Sequence, residues 1–282
     1  MSIEKISVIG AGTMGNGISH VFALNNFKVD LIDQNVDLLE KAIVNITKNL
    51  ERQIKKQIIS SEQKESTLNN INKLVGINNL DIQSDLVIEA VTEDKDVKQN
   101  LFLELENKVK KDAIFATNTS SISITVLSQH TRPDRFIGMH FMNPVPVMKL
   151  VEIIRGYSTS DETFINIKNL THKVGKIPVE VHDFPGFISN RILIPMINEA
   201  IFAYFEGVAS VEDIDNVMQL GMNHPMGPLT LADFIGLDVC LAIMEVLYNG
   251  FNDSKYRPCP LLKKMVSANK LGRKTGEGFY KY

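Results

Sequence analysis

A histidine and a glutamate flank a proline-rich turn near the middle of the chain. His140 ends one apolar run, and Glu152 lies in a second apolar run that follows the sequence Asn-Pro-Val-Pro at 143–146. Prolines at these positions favour a tight turn, so the two runs are predicted to be short strands that fold back on each other. This hairpin would bring the Glu152 carboxylate to the His140 imidazole. A histidine oriented by a carboxylate is a general base that works near neutral pH.

A second segment with chemical consequences lies at the N-terminus. Residues 3–9 are predicted to form a strand, which is followed by the sequence GAGTMG at 10–15 and then by a helical pattern. In a βαβ unit Gly10 would permit the turn, Gly12 the close approach of a pyrophosphate, and Gly15 the packing of helix on strand. The N-terminus of the helix would then face the phosphates with its positive dipole end.

Asp33 indicates which dinucleotide this segment should prefer. It ends the second predicted strand, 18 residues beyond Gly15. A carboxylate in this place bonds the 2′-hydroxyl of the adenosine ribose and repels a 2′-phosphate. The sequence therefore predicts an NAD site, with NADP disfavoured. The alternative is a glycine-rich turn without a ligand, which the flanking strand, the helix and Asp33 together make the weaker interpretation.

Strands and helices alternate along the first two thirds of the chain. Besides the two strands of the proline hairpin, strands are predicted at 3–9, 27–32, 85–91, 113–117 and 177–181. This alternation is typical of an α/β fold with a Rossmann-type, doubly wound, mostly parallel sheet. An inserted helical hairpin is predicted at about 35–75, because apolar residues recur every three or four positions from 36 to 58 and Ser60 resembles the cap of a helix through the early 70s.

The pattern changes at residues 183–187, beyond which we find helices and turns but no convincing strand. Helices are predicted at 188–204, 211–220, 230–248 and 260–269. We therefore expect an N-terminal dinucleotide-binding domain at 1–184 and a C-terminal all-helical domain at 185–282.

Composition and charge exclude several classes of function. The net charge is −3 and the basic residues are dispersed, which argues against nucleic-acid binding. Charged residues interrupt the apolar runs, so no membrane span is expected. The six histidines lack the spacing of metal ligands, and we expect no metal site. With two cysteines, Cys240 and Cys259, and no secretory or transit pattern at the N-terminus, we expect a cytoplasmic protein.

Several motifs, taken together and in order along the chain, resemble the L-3-hydroxyacyl-CoA dehydrogenase family, and within it most closely the short bacterial 3-hydroxybutyryl-CoA dehydrogenases. They are GAGTMG with Asp33, EAVTED at 89–94, NTSSISI at 118–124, GMHFMNPVPVMKLVEII at 138–154, DFPGFISNRI at 183–192, HPMGPLTLADFIGLD at 224–238 and GRKTGEGFYKY at 272–282. The resemblance implies reversible, NAD-dependent oxidation of a short-chain (S)-3-hydroxyacyl-CoA to the 3-ketoacyl-CoA. For the four-carbon substrate the product would be acetoacetyl-CoA.

The resemblance also implies roles for individual residues. The family's base falls on His140, its orienting carboxylate on Glu152, its substrate-contacting serine on Ser120 and its asparagine on Asn190. Considered alone, Ser120 could instead cap the following helix, and Asn190 could face solvent. The family's further cofactor positions, near the nicotinamide and its ribose, fall on Glu93, Lys98, Asn118 and Lys274.

For coenzyme A, the family uses a serine and a lysine on the long second helix. These positions are Asn49 and Lys56 here, so the lysine is retained and the serine is not. A phosphate contact and a solvated helix face both remain open for Lys56.

The helical domain carries more apolar surface than a domain of its size needs to cover itself, which predicts an interface. The family is built as a dimer through this domain, so the resemblance implies a homodimer, with a higher oligomer left open. Two rival functions also remain. One is another two-domain dehydrogenase of the β-hydroxyacid type, which uses a lysine for proton transfer, and the other is a non-catalytic, crystallin-like relative.

Overall fold

An eight-stranded sheet organises the first part of the chain in the computed structural model, which describes residues 3–282. The strands, in the spatial order β3-β2-β1-β4-β5-β6-β7-β8, are β1 (Lys5–Ile9), β2 (Lys28–Asp33), β3 (Ile71–Val75), β4 (Leu86–Glu89), β5 (Ile114–Thr117), β6 (Phe136–Phe141), β7 (Leu150–Arg155) and β8 (Ile177–His182). Neighbouring strands are parallel except for β6 and β7, which are antiparallel.

Helices connect the parallel strands and cover the sheet. They are α1 (Thr13–Leu24), α2 (Val36–Lys55), α3 (Ser61–Asn69), α4 (Lys95–Glu106), α5 (Ile124–Ser128) and α6 (Asp161–Lys173). Local sequence explains where several of them begin. The side chains of Asn35, Asp94 and Ser160 accept hydrogen bonds from the first turns of α2, α4 and α6, and Ser60 forms a capping box with Gln63 at the start of α3.

The central strands β4, β5 and β6 are buried at every position, as expected where helices cover both faces of a parallel sheet. Their apolar runs are therefore continuous rather than alternating, which is why the sequence pattern identified them. The doubly wound, mostly parallel fold predicted from the sequence is confirmed.

One element differs from the prediction. The helix was expected to continue from Ser60 into the early 70s, and the helical hairpin to about residue 75, but α3 ends at Asn69 and Ile71–Val75 forms β3. This part of the prediction was wrong. Because β3 is an edge strand paired only with β2, its side chains are exposed or half-buried and its hydrophobic signal is weak.

From Phe184 onward the chain forms a second compact unit of helices, while the first unit ends at Asp183. Its helices are α7 (Ser189–Phe205), α8 (Val211–Asn216), α9 (Pro228–Ile235), α10 (Leu237–Phe251) and α11 (Pro260–Ser267). The single helix predicted at 230–248 is instead two, α9 and α10. The break lies at Gly236, whose φ of +105° is a backbone conformation that other residues rarely adopt. Among residues 3–282, no helix combines the length and apolar character needed to cross a membrane.

A buried histidine in α1 makes stability depend on pH. His20 is fully buried, and neither ring nitrogen has a hydrogen-bond partner among residues 3–282. Burial, assisted by the nearby Lys176 charge, lowers the pKa of His20 from 6.5 to about 4. The pKa of His20 is lower in the folded protein than in the unfolded protein. The contribution of His20 to the free energy of unfolding therefore keeps its full value above pH 6.5 and decreases as the pH falls towards 4, because the unfolded chain is protonated more readily.

The substitution His20→Gln should therefore change the pH dependence of folding. Wild type should lose about 3 kcal/mol more unfolding free energy than the variant between pH 7 and pH 4, because only wild type has this histidine to protonate on unfolding. Urea unfolding at a series of pH values measures the difference. Parallel stability curves for the two proteins would contradict the assignment.

Candidate active site

The hairpin of β6 and β7 joins the histidine and the glutamate that the sequence singled out. In the antiparallel ladder His140 lies directly opposite Glu152, so both side chains project from the same face of the sheet. His140 Nδ1 lies 2.8 Å from Glu152 Oε2, and the two residues are 8% and 2% exposed. The predicted contact is confirmed. Because Nδ1 is engaged by the carboxylate, Nε2 is the ring nitrogen on the side away from Glu152.

Asn118 connects this hairpin to the parallel part of the sheet. It follows β5, and its backbone N–H donates to Glu89 O at 2.8 Å. Its side-chain Oδ1 accepts a 3.0 Å hydrogen bond from the N–H of Phe141, the residue after His140. The strand that carries the imidazole is thereby fixed to the end of β5.

The glycine-rich turn between β1 and α1 has the geometry expected of a dinucleotide site. Gly10 has a φ of +101°, and a Cβ there would lie 2.5 Å from Ala90 O, so only glycine fits. A Cβ at Gly15 would lie 1.7 Å from Gly10 O, which prevents any larger residue. By contrast, a Cβ at Gly12 would meet no protein atom within 4 Å. The space above Gly12 is therefore open to a ligand.

Asp33 lies at the carboxyl end of β2 and is tied to the glycine turn. Its Oδ2 accepts a 2.7 Å hydrogen bond from Ala11 N, and its Oδ1 accepts from Asn35 N at 2.9 Å. A cleft of about 650 Å³ lies here, and its lining includes Gly10, Gly12 and Asp33. A cleft beyond the carboxyl ends of parallel strands is where α/β folds bind dinucleotides. The residues present fit NAD.

Two carboxylates share one buried ammonium beside this cleft. Lys98 Nζ lies 2.6 Å from Glu89 Oε1 and 3.3 Å from Glu93 Oε2, and both Lys98 and Glu89 are fully buried. Glu89 also accepts hydrogen bonds from Val91 N and Thr117 Oγ1. Burial raises the pKa of Glu89, despite the opposing effect of the Lys98 charge. Sequence reasoning missed Glu89, since nothing local distinguishes a buried ion pair.

Glu93 organises the loop that carries Ser120. Its Oε1 accepts hydrogen bonds from Thr119 Oγ1 at 2.7 Å, from Ser120 N at 2.8 Å and from Ser120 Oγ at 3.1 Å, and more weakly from Ser121. Burial acts to raise the pKa of Glu93, but the Lys98 charge and these donors outweigh it, so the pKa lies below its ordinary value. The position of Ser120 therefore depends on an ionised Glu93.

A separate pocket of about 210 Å³ lies between α2 and the proline turn. From α2 it is lined by Asn45, Lys48, Asn49 and Arg52, whose spacing puts them on one helix face, and from the turn by residues 143–146. Asn49 was predicted as a substrate residue and does line this pocket, whereas Lys56 is not part of its lining. Lys48 and Arg52 were missed, although their positions relative to Asn49 could have identified them.

The remaining predicted residues lie in the second unit. Asn190 is in the first turn of α7. Lys274 is in a short 3₁₀ turn, where its ammonium pairs with the Asp238 carboxylate of α10. No cluster of three or more potential metal ligands exists in the part of the chain that the structure describes.

Comparison with known families agrees with this geometry. Residues 5–184 match the family description "3-hydroxyacyl-CoA dehydrogenase, NAD binding domain", and residues 186–282 match the corresponding C-terminal domain. The chain belongs to the 3-hydroxyacyl-CoA dehydrogenase family. The resemblance found in the sequence motifs is thereby confirmed, and the first unit is the family's NAD-binding domain.

Relatives within the 3-hydroxyacyl-CoA dehydrogenase family match the chain over nearly its whole length. A 3-hydroxybutyryl-CoA dehydrogenase of Bradyrhizobium diazoefficiens is 55% identical, with 99% of this chain and 96% of the relative covered. A 3-hydroxybutyryl-CoA dehydrogenase of Clostridioides difficile is 50% identical, with 99% of each covered. The crystal structure of (S)-3-hydroxybutyryl-CoA dehydrogenase from Ralstonia eutropha matches with a TM-score of 0.97 at 49% identity, covering 100% of this chain and 99% of that one.

The buried pair of Glu89 and Lys98 should be strongly coupled in stability. Lys98→Met should lower the unfolding free energy by about 3–5 kcal/mol, because it leaves the Glu89 carboxylate buried without its cation. The double variant with Glu89→Gln should lose less than Lys98→Met alone, since the fully buried carboxylate is then gone and Glu93 keeps its hydrogen bonds from Thr119 and Ser120. Urea unfolding of wild type, Lys98→Met, Glu89→Gln and the double variant measures both effects. A double variant as unstable as the sum of the two single losses would contradict the coupling.

Proposed function

We propose that the protein is an NAD-dependent (S)-3-hydroxybutyryl-CoA dehydrogenase, which interconverts (S)-3-hydroxybutyryl-CoA and acetoacetyl-CoA. The observation that carries this proposal is the buried contact between His140 and Glu152 in a chain of this family. The names of the relatives, which are about half identical to this chain over nearly full length, support the choice of a short-chain substrate.

His140 acts as the acid and base on the C3 oxygen. In oxidation, Nε2 takes the hydroxyl proton as the C3–H bond breaks and the carbonyl forms, and in reduction the protonated imidazole returns a proton to that oxygen. NAD, when bound, supplies the hydride acceptor and NADH the hydride donor. Glu152 fixes the tautomer of the imidazole through Nδ1 and stabilises the imidazolium.

Ser120 and Asn190 orient the substrate. Both side chains can donate a hydrogen bond, one to the C3 oxygen and the other to the thioester carbonyl, which holds C3 in line for transfer. The hydrogen bond from the Ser120 backbone N–H to Glu93 supports this role, because it fixes the serine while the hydroxyl can rotate from Glu93 to the substrate.

The cofactor is held by residues around the large cleft. Gly10, Gly12 and Gly15 form the phosphate turn, and Asp33 accepts from the adenosine ribose, which favours NAD over NADP. We also assign cofactor contacts, on the nicotinamide side, to Glu93, Asn118 and Lys274, while the buried Lys98 acts through its ion pair with Glu93.

The basic pocket beside the proline turn is the proposed coenzyme A site. Lys48 and Arg52 present cations on the same helix face as Asn49, which suits the phosphates of coenzyme A. Lys56, at the end of α2, is the further candidate from the family pattern.

We further propose that the protein is cytoplasmic and forms a homodimer through its helical unit. Exposed apolar side chains in this unit support an interface. Among them are Ile192, Leu220, Met222 and Phe234.

A steady-state assay tests the proposed reaction directly. Purified protein should oxidise NADH with acetoacetyl-CoA, should show little activity with free 3-hydroxy acids and NAD, and should prefer NADH to NADPH. Activity with free 3-hydroxy acids but not with the thioester would favour the β-hydroxyacid type of dehydrogenase. No activity with either would favour a non-catalytic relative.

Replacement of the proposed base should remove turnover and spare cofactor binding. His140→Gln should lower kcat by about 10²–10⁴, because the proton on the C3 oxygen then lacks an acceptor. The Kd for NADH, measured by fluorescence titration, should stay close to that of wild type. The exposed His130 provides the matched control, since His130→Gln should behave as wild type. A His140→Gln variant with wild-type kcat would refute the role.

Substitutions along α2 should distinguish Arg52, which lines the pocket, from Lys56, which does not. Arg52→Gln should raise the KM for acetoacetyl-CoA by about 10-fold, equivalent to about 1.4 kcal/mol, while the KM for NADH changes little. Lys56→Gln tests whether the lysine at the family's coenzyme A position also contacts the substrate. Lys55→Gln serves as an exposed control on the same helix. Equal KM values for wild type and Arg52→Gln would exclude Arg52 from the site.

A further inference from the structure

The proline turn separates two pockets. We define the turn segment as residues 142–149, which connect β6 to β7. On one side lies the proposed coenzyme A pocket of about 210 Å³, and on the other a second pocket of about 220 Å³ lined by His20, Gln53, Val174 and Lys176, among others. Pro146 and Val145 line the first pocket, and Pro146 and Val147 line the second. The segment is therefore a thin wall with open space behind it.

One buried ammonium holds this wall from behind. Lys176 Nζ donates hydrogen bonds to Val145 O at 2.6 Å and to Met148 O at 2.7 Å, and the residue is only 7% exposed. Lys176 immediately precedes β8, and its own backbone N–H donates to Thr171 O, at the end of α6. The ammonium thus ties the turn segment to the connection between α6 and β8.

The charge on Lys176 has no carboxylate partner within 4 Å among residues 3–282. Burial lowers the pKa of its ammonium, and its charge in turn contributes to the low pKa of His20. A buried, unpaired cation is unfavourable unless it is strongly hydrogen-bonded. The carbonyls of Val145 and Met148 supply those hydrogen bonds to the ammonium. The turn segment and the lysine side chain therefore fix each other's position.

Val145 provides the other attachment of the segment. It is buried against Gly17 of α1, where a Cβ would lie 2.8 Å from Val145 Cβ. The front of the wall is thus packed on the dinucleotide-binding helix, while its back depends on the ammonium. Loss of the ammonium would leave two carbonyls without their partner and would let the segment move into the space behind it.

We propose that Lys176 is a positioning residue for acyl-CoA binding, because its ammonium fixes the turn segment that forms one wall of the substrate pocket. This inference rests on the proposed function for the identity of the ligand. The NAD cleft contains no residue of the turn segment, so cofactor binding should not depend on Lys176. The contact of His140 with Glu152 is set by the pairing of β6 with β7, so the chemical step should depend little on Lys176.

The test compares three variants in steady-state kinetics. Lys176→Met, which keeps the bulk of the side chain and removes the charge and donors, should raise the KM for acetoacetyl-CoA by about 10-fold or more, as expected for the loss of two charge-assisted hydrogen bonds. The KM for NADH and kcat should stay close to wild type. Lys176→Arg should recover most of the affinity. Lys173→Met, which removes an exposed cation at the end of α6 and outside the turn segment, should behave as wild type.

Hydrogen exchange tests the attachment without any substrate. The N–H groups of Val147 and Met148 both donate to Pro144 O within the turn segment. They should exchange faster in Lys176→Met, while the amide of Ile153 in β7 should not change. Faster exchange in a protein that does not reduce acetoacetyl-CoA would support the role of Lys176 in the turn and refute the proposed substrate.

Several outcomes would overturn the inference. These are an unchanged KM for acetoacetyl-CoA together with unchanged exchange, an equal rise in both KM values, or the same kinetic effect in Lys173→Met. If Lys176→Met does not fold, Lys176→Gln takes its place with the same expectations, because its amide lacks the charge and cannot reach both carbonyls.

Discussion

The antiparallel pairing of β6 with β7 is the constraint on which the proposed chemistry depends. All other neighbouring strands of the sheet are parallel, and within residues 3–282 only this pair is joined directly through a short turn. Directly opposite residues of an antiparallel pair share a face, so the register alone brings His140 to Glu152. A slip of one residue would move the carboxylate to the opposite face and leave the imidazole without its partner.

The rest of the first unit supplies what surrounds this pair. Parallel strands place the glycine turn and Asp33 at one edge of the sheet, where the carboxyl ends of the strands open into the large cleft, and α4 carries the buried Lys98. Glu93 joins that edge to the loop of Ser120, and Asn118 joins it to the strand of His140. The cofactor residues proposed in this unit are thus linked to the proposed acid–base pair by hydrogen bonds within the unit.

Contacts that are local in the chain were predictable from the sequence, and those formed by distant segments were not. The hairpin, the glycine turn and Asp33 could be identified because each lies within a short stretch with its own pattern. The contacts of Glu89 and Lys176 could not be predicted. A glutamate in an apolar strand, or a lysine just before a strand, gives no sign in the sequence of the distant residues that the fold brings next to it. The edge strand β3 was not predicted for a related reason, because its pairing with β2 defines it rather than its own sequence.

A double-mutant cycle on His140 and Glu152 tests the central claim most directly. Single-turnover rates of NADH oxidation by acetoacetyl-CoA would be measured for wild type, Glu152→Gln, His140→Gln and the double variant. If Glu152 acts through His140, Glu152→Gln will slow the step, and the double variant will be no slower than His140→Gln alone. Losses that multiply in the double variant, or a Glu152→Gln rate equal to that of wild type, would contradict the account.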